Sequence, residues 1–133
     1  MEDFSWHFIL IDALRKKSGK TFLEQILETT SKEDLSISVI SIQELYQGKS
    51  VMESEKEKDM QTLLAPLKIL PYSYDVAKQA GEIVRERQYE ITFADAAIAA
   101  TAIVNHIPLY TLNQKDFLRI PDLMLSPIDN IVK

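Results

Sequence analysis

The sequence contains no cysteine and only three glycines, and it has no long uninterrupted apolar run. The absence of cysteine excludes disulfides, thiolate metal sites and cysteine nucleophiles. Gly19, Gly48 and Gly81 stand far apart, so they cannot build a Gly-rich phosphate loop or a dinucleotide-binding fingerprint. No apolar stretch approaches the roughly 18 residues of a membrane helix, and Glu2 and Asp3 give the N-terminus the wrong charge for a signal peptide. We therefore expect a soluble cytoplasmic protein with no membrane partner.

The chain is short and acidic. With 133 residues it has room for one hydrophobic core, so we expect a single domain over 1–133. The formal net charge of -5 argues against strong non-specific binding of nucleic acid through bulk charge. It does not exclude an enzyme that acts on nucleic acid, because acidic side chains can hold a divalent cation that supplies the missing positive charge.

Segments typical of strands alternate along the chain with segments typical of helices. The strand-like segments are short and apolar, and they cover 35–40, 68–72, 107–111 and, as an edge strand, 123–126. The helix-like segments show a period near 3.6, and they cover 6–17, 21–30, a stretch opening at Ser41, a stretch around Leu63, 75–87 and 93–104. This alternation predicts an α/β domain with a mostly parallel sheet. In such sheets ligands bind at the carboxyl ends of the strands.

Two acidic residues occupy positions that fit either a purely structural role or a functional one. Asp95 opens an Ala-rich helix that is apolar on most sides and therefore buried. A carboxylate there requires a partner. Three partners are possible: the N-terminus of its own helix, one of the arginines Arg85 and Arg87, or a metal ion. Glu44 follows a predicted strand, and it either closes a capping box with Ser41 or has a catalytic role.

A second pair of polar residues follows the predicted strand 107–111. Asn113 and Asp116 lie in a polar turn, and alone they are typical turn formers. Taken together with Glu44 and Asp95, they form a set of oxygen ligands from remote segments. Without cysteine and with isolated histidines, such a set favours Mg²⁺ or Mn²⁺ over zinc. These ions activate a water and clamp a phosphate, whereas no G-x-S-x-G elbow supports a serine triad.

Three segments carry motifs in a fixed order. The run 37–48 reads ISVISIQELYQG, the run 93–102 reads FADAAIAATA, and the run 108–117 reads PLYTLNQKDF. They are similar to the Ser/Thr-x-x-Glu-Leu, Asp-x-x-Ile-Ala-Ala and Pro-Leu-x-Thr-x-Asn/Asp-x-x-Asp-Phe motifs of one family, and 121–127 is similar to its last strand. Over 37–127 the chain thus resembles the PIN-domain nucleases, especially VapC-like toxins of toxin–antitoxin pairs.

The resemblance implies a three-layer α/β/α fold around a mostly parallel sheet and Mg²⁺-dependent hydrolysis of RNA by an endoribonuclease. It also implies an antitoxin protein that blocks the site, and homodimers. By the same resemblance Glu44 and Asp95 are metal-binding acids. Asn113 stands where the family often has a fourth acid, and Asp116 is the nearest carboxylate that can substitute as catalytic residue and metal ligand. Thr111 matches a threonine of the same turn.

The N-terminus departs from the family pattern. The family opens with a buried strand ending in Asp, and its next helix reads Ile-Asp-x-Leu-Arg, which 11–15 matches. In this register Trp6 stands where the first catalytic Asp is expected, and the first strand is short or degenerate. Three explanations stay open: an altered start of the chain, a degenerate nuclease that still folds, or a ligand supplied by His7, Asp3 or Asp12.

Two functions therefore compete. The first is a metal-dependent ribonuclease, in which basic side chains position the RNA backbone; the candidates are Lys17, Arg85, Arg87, Lys115 and Arg119. The alternative is a catalytically impaired PIN-like binding module, which would follow from Trp6. A phosphoacceptor receiver domain built on Asp12 is a weaker alternative, because the later motifs do not belong to that class.

Overall fold

The structure, a computed structural model, describes residues 9–12, 35–47 and 53–126. These ranges contain four strands, four α-helices and one 3₁₀ helix. Their order is β1 (Ile9–Asp12), β2 (Leu35–Ser38), α1 (Val39–Tyr46), α2 (Ser54–Leu64), β3 (Lys68–Leu70), α3 (Tyr74–Glu86), α4 (Phe93–Asn105), β4 (Leu109–Thr111) and the 3₁₀ helix Gln114–Phe117.

The described strands form one sheet in the order β3-β2-β1-β4, and every pair of neighbours is parallel. The chain therefore moves outward on one side from β1 to β3 and then places β4 on the other side of β1. The order reverses between β1 and β4, which makes this the switch point where ligands bind in open parallel sheets. The predicted α/β class with a parallel sheet is confirmed. The predicted edge strand 123–126 is reduced to a single parallel bridge between Leu109 and Leu125.

Both faces of the sheet are buried at β1, β2 and β4, whereas β3 is partly exposed. Leu10 and Leu109 join the core cluster that contains the buried residues of α3 and α4. Ile11 and Tyr110 are next in their strands, so their side chains point to the opposite face, and they are fully buried as well. Strands buried on two faces read as continuous apolar runs rather than as alternating patterns. Strand β1 has this pattern over Ile9–Ile11, whereas β2 carries two buried serines, Ser36 and Ser38.

Helix α4 is the central helix of the core. Its residues 95–102 are all buried, and they include five alanines, whose small side chains let the helix lie close to its neighbours. Helix α3 packs along it through Val76, Ala80 and Ile83. Among the described helices, none is both long and apolar enough to cross a membrane.

The helix predicted over 6–17 is wrong where the structure can be compared with it. Residues 9–12 form strand β1, paired in parallel with both β2 and β4. A short apolar run cannot be assigned to helix or strand by periodicity alone. The spacing of Phe8, Ile11 and Leu14 suggested a helix, but pairing with two flanking strands decides the conformation. Trp6 and the predicted helix 21–30 lie outside the described residues.

The capping box predicted at Ser41 and Glu44 is also wrong. Helix α1 begins at Val39, and its N-cap is Ser38, whose Oγ accepts a hydrogen bond from the Ile40 backbone N–H at 3.0 Å. Ser38 pairs with Leu70 as the last residue of β2, so the strand predicted over 35–40 ends two residues early. Both Ser41 and Glu44 therefore lie inside the helix.

The other predicted elements agree with the structure in type. The helices predicted over 75–87 and 93–104 are α3 and α4, with ends that differ by one residue. The helix predicted around Leu63 is α2. The strands predicted over 68–72 and 107–111 are shorter than expected, because sheet pairing covers only three residues of each.

Ile98→Ala tests the importance of the α4 core. Ile98 is fully buried, so we expect the free energy of unfolding in urea to fall by about 2–5 kcal/mol, from lost burial and the cavity left behind. The matched control is Ile69→Ala on β3, where the side chain is 52% exposed and we expect a loss below about 1 kcal/mol. Equal losses at the two positions would contradict this account of the core.

Candidate active site

The candidate site lies at the carboxyl edge of the sheet, between the ends of β1 and β4. Asp12 is the last residue of β1, and it is the partner of Thr111, the last residue of β4. Thr111 is fully buried, and its Oγ1 accepts a hydrogen bond from the Asn113 backbone N–H at 3.0 Å. The sheet thereby holds Asp12 at the switch point and fixes the start of the turn that follows β4.

The turn after β4 contains the two predicted residues Asn113 and Asp116. The Asn113 carbonyl accepts a hydrogen bond from the Asp116 N–H at 3.0 Å, which opens the 3₁₀ helix. Buried Phe117 anchors this helix in the core, and the Gln114 side chain donates to the Ser126 carbonyl at 3.0 Å. Asn113 and Asp116 themselves are half-buried, so a rigid turn presents both side chains near the edge.

Asp95 is a buried carboxylate in the first turn of α4. Its side chain is only 5% exposed, and its backbone N–H donates to the Oγ1 of the N-cap Thr92 at 3.0 Å. A negative charge in the first turn interacts favourably with the helix dipole, so the predicted interaction with the helix N-terminus is consistent with the structure. Helix α4 ends shortly before β4 begins at the opposite edge of the sheet. Its first turn therefore lies toward the carboxyl edge.

Glu44 lies on α1, which packs against α4. Its side chain is half-buried, and its Oε1 is a buried oxygen. Ser41 precedes Glu44 by three residues and so lies on the same face of the helix. The Ser41 Oγ is buried and has no hydrogen-bond partner within the described part of the chain. A buried hydroxyl of this kind is a place where an ordered water or an ion can bind.

The described carboxylates do not assemble a complete metal site by themselves. Among the side chains that the structure describes, no three His, Cys, Asp or Glu residues lie close enough together to hold a metal ion. Glu44, Asp95 and Asp116 thus do not form a three-acid group, although each comes from an element at or near the same edge. The side chain of Asp12 is outside the described ones. All candidate donors are oxygens, and this donor set suits Mg²⁺ or Mn²⁺.

The basic residues predicted to hold RNA are dispersed. Arg85 and Lys115 are exposed. Arg87 and Arg119 line one shallow cavity of about 230 Å³ together with Glu86. The Arg87 guanidinium also donates to the Leu118 carbonyl at 3.0 Å, so it helps to hold the chain after the 3₁₀ helix. Lys17 lies outside the described residues.

Comparison with known proteins agrees with this geometry. The profile of the PIN domain family matches residues 9–123, beginning at the first residue of β1. The chain belongs to the PIN domain family. The predicted relationship is therefore confirmed, and the matched region includes the predicted site residues Glu44, Asp95, Asn113 and Asp116. The assignment of the whole of 1–133 to one domain stays a prediction.

Named relatives are VapC ribonucleases and VapBC complexes. Ribonuclease VapC10 of Mycobacterium tuberculosis is 35% identical over 82 residues, which are 59% of this chain and 59% of that protein, so the match spans about three fifths of that relative. Ribonuclease VapC2 of Rickettsia felis is 32% identical over 109 residues, 77% of this chain and 81% of that protein. The DNA-bound VapBC structure from Salmonella typhimurium matches with a TM-score of 0.73 at 22% identity, covering 90% of this chain and 96% of that chain. This likeness confirms the predicted three-layer fold.

Asp12 is the site candidate to which the sequence pattern gave too little weight. The matched helix motif at 11–15 assigned it to a helix surface and moved the expected catalytic position to Trp6. The signal that would have found it is the apolar run Phe8–Ile11, which ends at an acidic residue. A buried parallel strand ending in Asp has this pattern, and the structure has that strand.

Thr92→Ala tests whether the cap that positions Asp95 also stabilises α4. Loss of the side-chain acceptor is expected to lower the free energy of unfolding by about 1 kcal/mol. Thr92→Ser keeps a hydroxyl at the same position and should retain most of the stability. Thermal unfolding followed by circular dichroism measures both variants, and an alanine variant as stable as the parent protein would contradict the assigned cap.

Proposed function

We propose that this protein is a metal-dependent endoribonuclease that hydrolyses RNA phosphodiester bonds at the carboxyl edge of its sheet. The observation that carries the proposal is the end of β1 at Asp12, in register with Thr111 at the switch point. The buried Asp95 carboxylate at the start of α4 supports the same site from a second element. Kinship with VapC ribonucleases supports the reaction class.

The residues of this chain have distinct proposed roles. Asp12, Glu44 and Asp95 supply negative charge and oxygen ligands for a divalent cation. The Thr111 Oγ1 accepts a hydrogen bond from the Asn113 backbone N–H and so holds the backbone of the turn. We propose that the side-chain amide of Asn113, which this turn carries, binds a water or a phosphate oxygen. Asp116 lies further along the same turn, and we propose it as an accessory ligand.

A Mg²⁺ or Mn²⁺ ion, when bound, supplies charge neutralisation at the phosphate and makes a water a better nucleophile. The role of the protein is to hold the donors in a partly desolvated edge, where electrostatic interactions are stronger than in water. In the net reaction a water oxygen forms a bond to phosphorus, the bond from phosphorus to one ribose oxygen breaks, and that oxygen leaves as a hydroxyl group with a proton that comes from the water. We propose that the acidic residues of the site bind the cation and orient that water.

The alternative function, an impaired PIN-like binding module, loses its main argument. It rested on Trp6 at the first catalytic position, and that position was counted back from the helix motif matched at 11–15. Because residues 9–12 are a strand that ends in an acid, Asp12 fits the first catalytic position and Trp6 is not needed there. The geometry therefore favours the enzyme over the inactive module.

We further propose that a VapB-like antitoxin binds this protein and blocks its site, by analogy with the VapBC assemblies that share its fold. RNA is the proposed substrate. The net charge of -5 is opposite in sign to what a protein needs for bulk attraction to RNA, so binding depends on the cation and on local contacts. A homodimer stays a prediction of the family resemblance.

Asp95→Asn tests the proposed reaction. The amide keeps the size of the side chain and removes its charge, so we expect Mg²⁺-dependent cleavage of single-stranded RNA to fall by at least about 100-fold, in line with the loss of an electrostatic contact to the reacting centre. Asp122→Asn is the matched control, because Asp122 is exposed and has a left-handed backbone conformation that Asn also accepts. Unchanged cleavage by the Asp95 variant would remove this residue from the site.

Asp12→Asn and Trp6→Ala together test the register at the N-terminus. If Asp12 holds the first catalytic position, its variant should lose cleavage as strongly as the Asp95 variant, whereas Trp6→Ala should keep it. Initial rates on the same RNA in Mg²⁺ and in Mn²⁺ measure both. The opposite pattern, with Asp12→Asn active and Trp6→Ala inactive, would refute the assignment.

A further inference from the structure

Two exposed aromatic residues lie together beside the candidate site. Tyr72 lies two residues beyond the carboxyl end of β3, and Phe93 is the first residue of α4, two residues before Asp95. Their ring centroids are 6.1 Å apart at an interplanar angle of 55°. Phe93 is 66% exposed and Tyr72 is 37% exposed. We call this pair the aromatic platform.

The platform lies at the same edge of the molecule as the proposed active site. All described strands are parallel, so β3 ends at the same edge as β1 and β4. In the sheet, β3 is separated from β1 by one strand, which corresponds to about 10 Å. This is about the length of three stacked nucleotides at about 3.4 Å each. A nucleotide near the cleaved phosphate can therefore reach the platform.

The chemistry of the platform suits a flat and uncharged group. The flanking residues 71–74 and 92–94 contain no charged side chain, so these segments offer no ion pair to a phosphate or to an acidic peptide. The large apolar residues exposed in these segments, Tyr72, Tyr74 and Phe93, are all aromatic. Because the two rings of the platform are tilted, they do not cover one another face to face. Open aromatic faces stack on nucleobases with little dependence on sequence.

We propose that the aromatic platform binds an unpaired base of the RNA within about three nucleotides of the cleaved phosphate. This inference rests on the proposed ribonuclease function, and it specifies which residues of this chain hold an unpaired base of the substrate. Stacking supplies affinity that an acidic protein does not obtain from bulk charge. Bases inside a duplex are already stacked and paired, so only splayed or single-stranded segments present a free face to the rings.

The test compares Phe93→Ala, Phe93→Leu and Phe93→Trp, with Tyr72→Ala as a second site. Fluorescence anisotropy with a fluorescein-labelled single-stranded oligoribonucleotide gives Kd, and Mg²⁺-dependent cleavage gives KM and kcat. We expect Phe93→Ala, Phe93→Leu and Tyr72→Ala to raise Kd and KM about tenfold with little change in kcat. Phe93→Trp, which keeps an aromatic face, should stay within about twofold of the parent protein.

Two controls separate stacking from a general loss of apolar surface. Leu118→Ala truncates a side chain that is 52% exposed and outside the platform, and it should leave Kd unchanged. An oligoribonucleotide with a single abasic site at the stacked position should bind the parent protein about tenfold more weakly and should no longer distinguish Phe93→Ala from it. Thermal unfolding verifies that each variant is folded, and Phe93→Leu replaces Phe93→Ala if the latter is not.

The outcomes distinguish the platform from the proposed catalytic site. Weaker RNA binding in the platform variants of a protein that cleaves no RNA would support the platform and remove the nuclease. Loss of cleavage in Asp95→Asn with unchanged Kd and KM in the platform variants would keep the nuclease and overturn the platform. Two further results would also overturn the platform. One is wild-type RNA affinity in Phe93→Leu. The other is a Phe93→Ala variant that loses binding to a protein partner but keeps RNA binding.

Discussion

The register of β1 between its two neighbours is the constraint on which the candidate site depends. The Leu10 N–H donates to the Pro108 carbonyl at 2.9 Å, and the same parallel pairing brings Asp12 beside Thr111. A slip of one residue would turn every side chain of a strand to the other face. Since β1 is buried on both faces, a slip of this strand would place the wrong residues on both sides of the sheet. The packing of the sheet thus fixes the register that places Asp12 beside Thr111.

The site combines costly groups with local compensation. Burial of the Asp95 carboxylate in water-poor surroundings is unfavourable, and the first turn of α4 offsets part of that cost through its dipole and its capped backbone. On the other side of the switch point, the side-chain oxygen of the fully buried Thr111 accepts a hydrogen bond from the backbone of the following turn. Polar groups are thereby fixed at this edge before any ligand arrives.

The fold was predictable where one pattern dominated and not where two competed. Helices α3 and α4 were found within a residue, because the first is strongly amphipathic and the second is apolar all round. Strand β1 was missed, because its three apolar residues and one aspartate show no periodicity of their own and its pairing partners are remote in sequence. The N-cap of α1 was misplaced by three residues, because Ser38 and Ser41 are both good N-caps and only the pairing of Ser38 with Leu70 distinguishes them.

Most of the candidate site followed from sequence motifs, but its spatial relations did not. Glu44, Asp95, Asn113 and Asp116 were identified by residue type and order, while the position of Asp12 required the sheet register. The contact between Tyr72 and Phe93 was also beyond prediction, since it depends on how the segments after β3 and before α4 meet in space. Residue patterns reveal which groups are available, and tertiary packing decides which of them are neighbours.

The alanine content of α4 has a thermodynamic consequence for catalysis. Six of its 13 residues are alanine, and an alanine side chain has no rotamers to lose when it is buried. The helix that carries Asp95 is therefore immobilised with almost no side-chain entropy penalty along much of its length. Larger residues at these positions would have to be frozen individually, and any residual hopping among their rotamers would be transmitted to the carboxylate. An alanine-rich helix in this sense holds a charged group in a preorganised position.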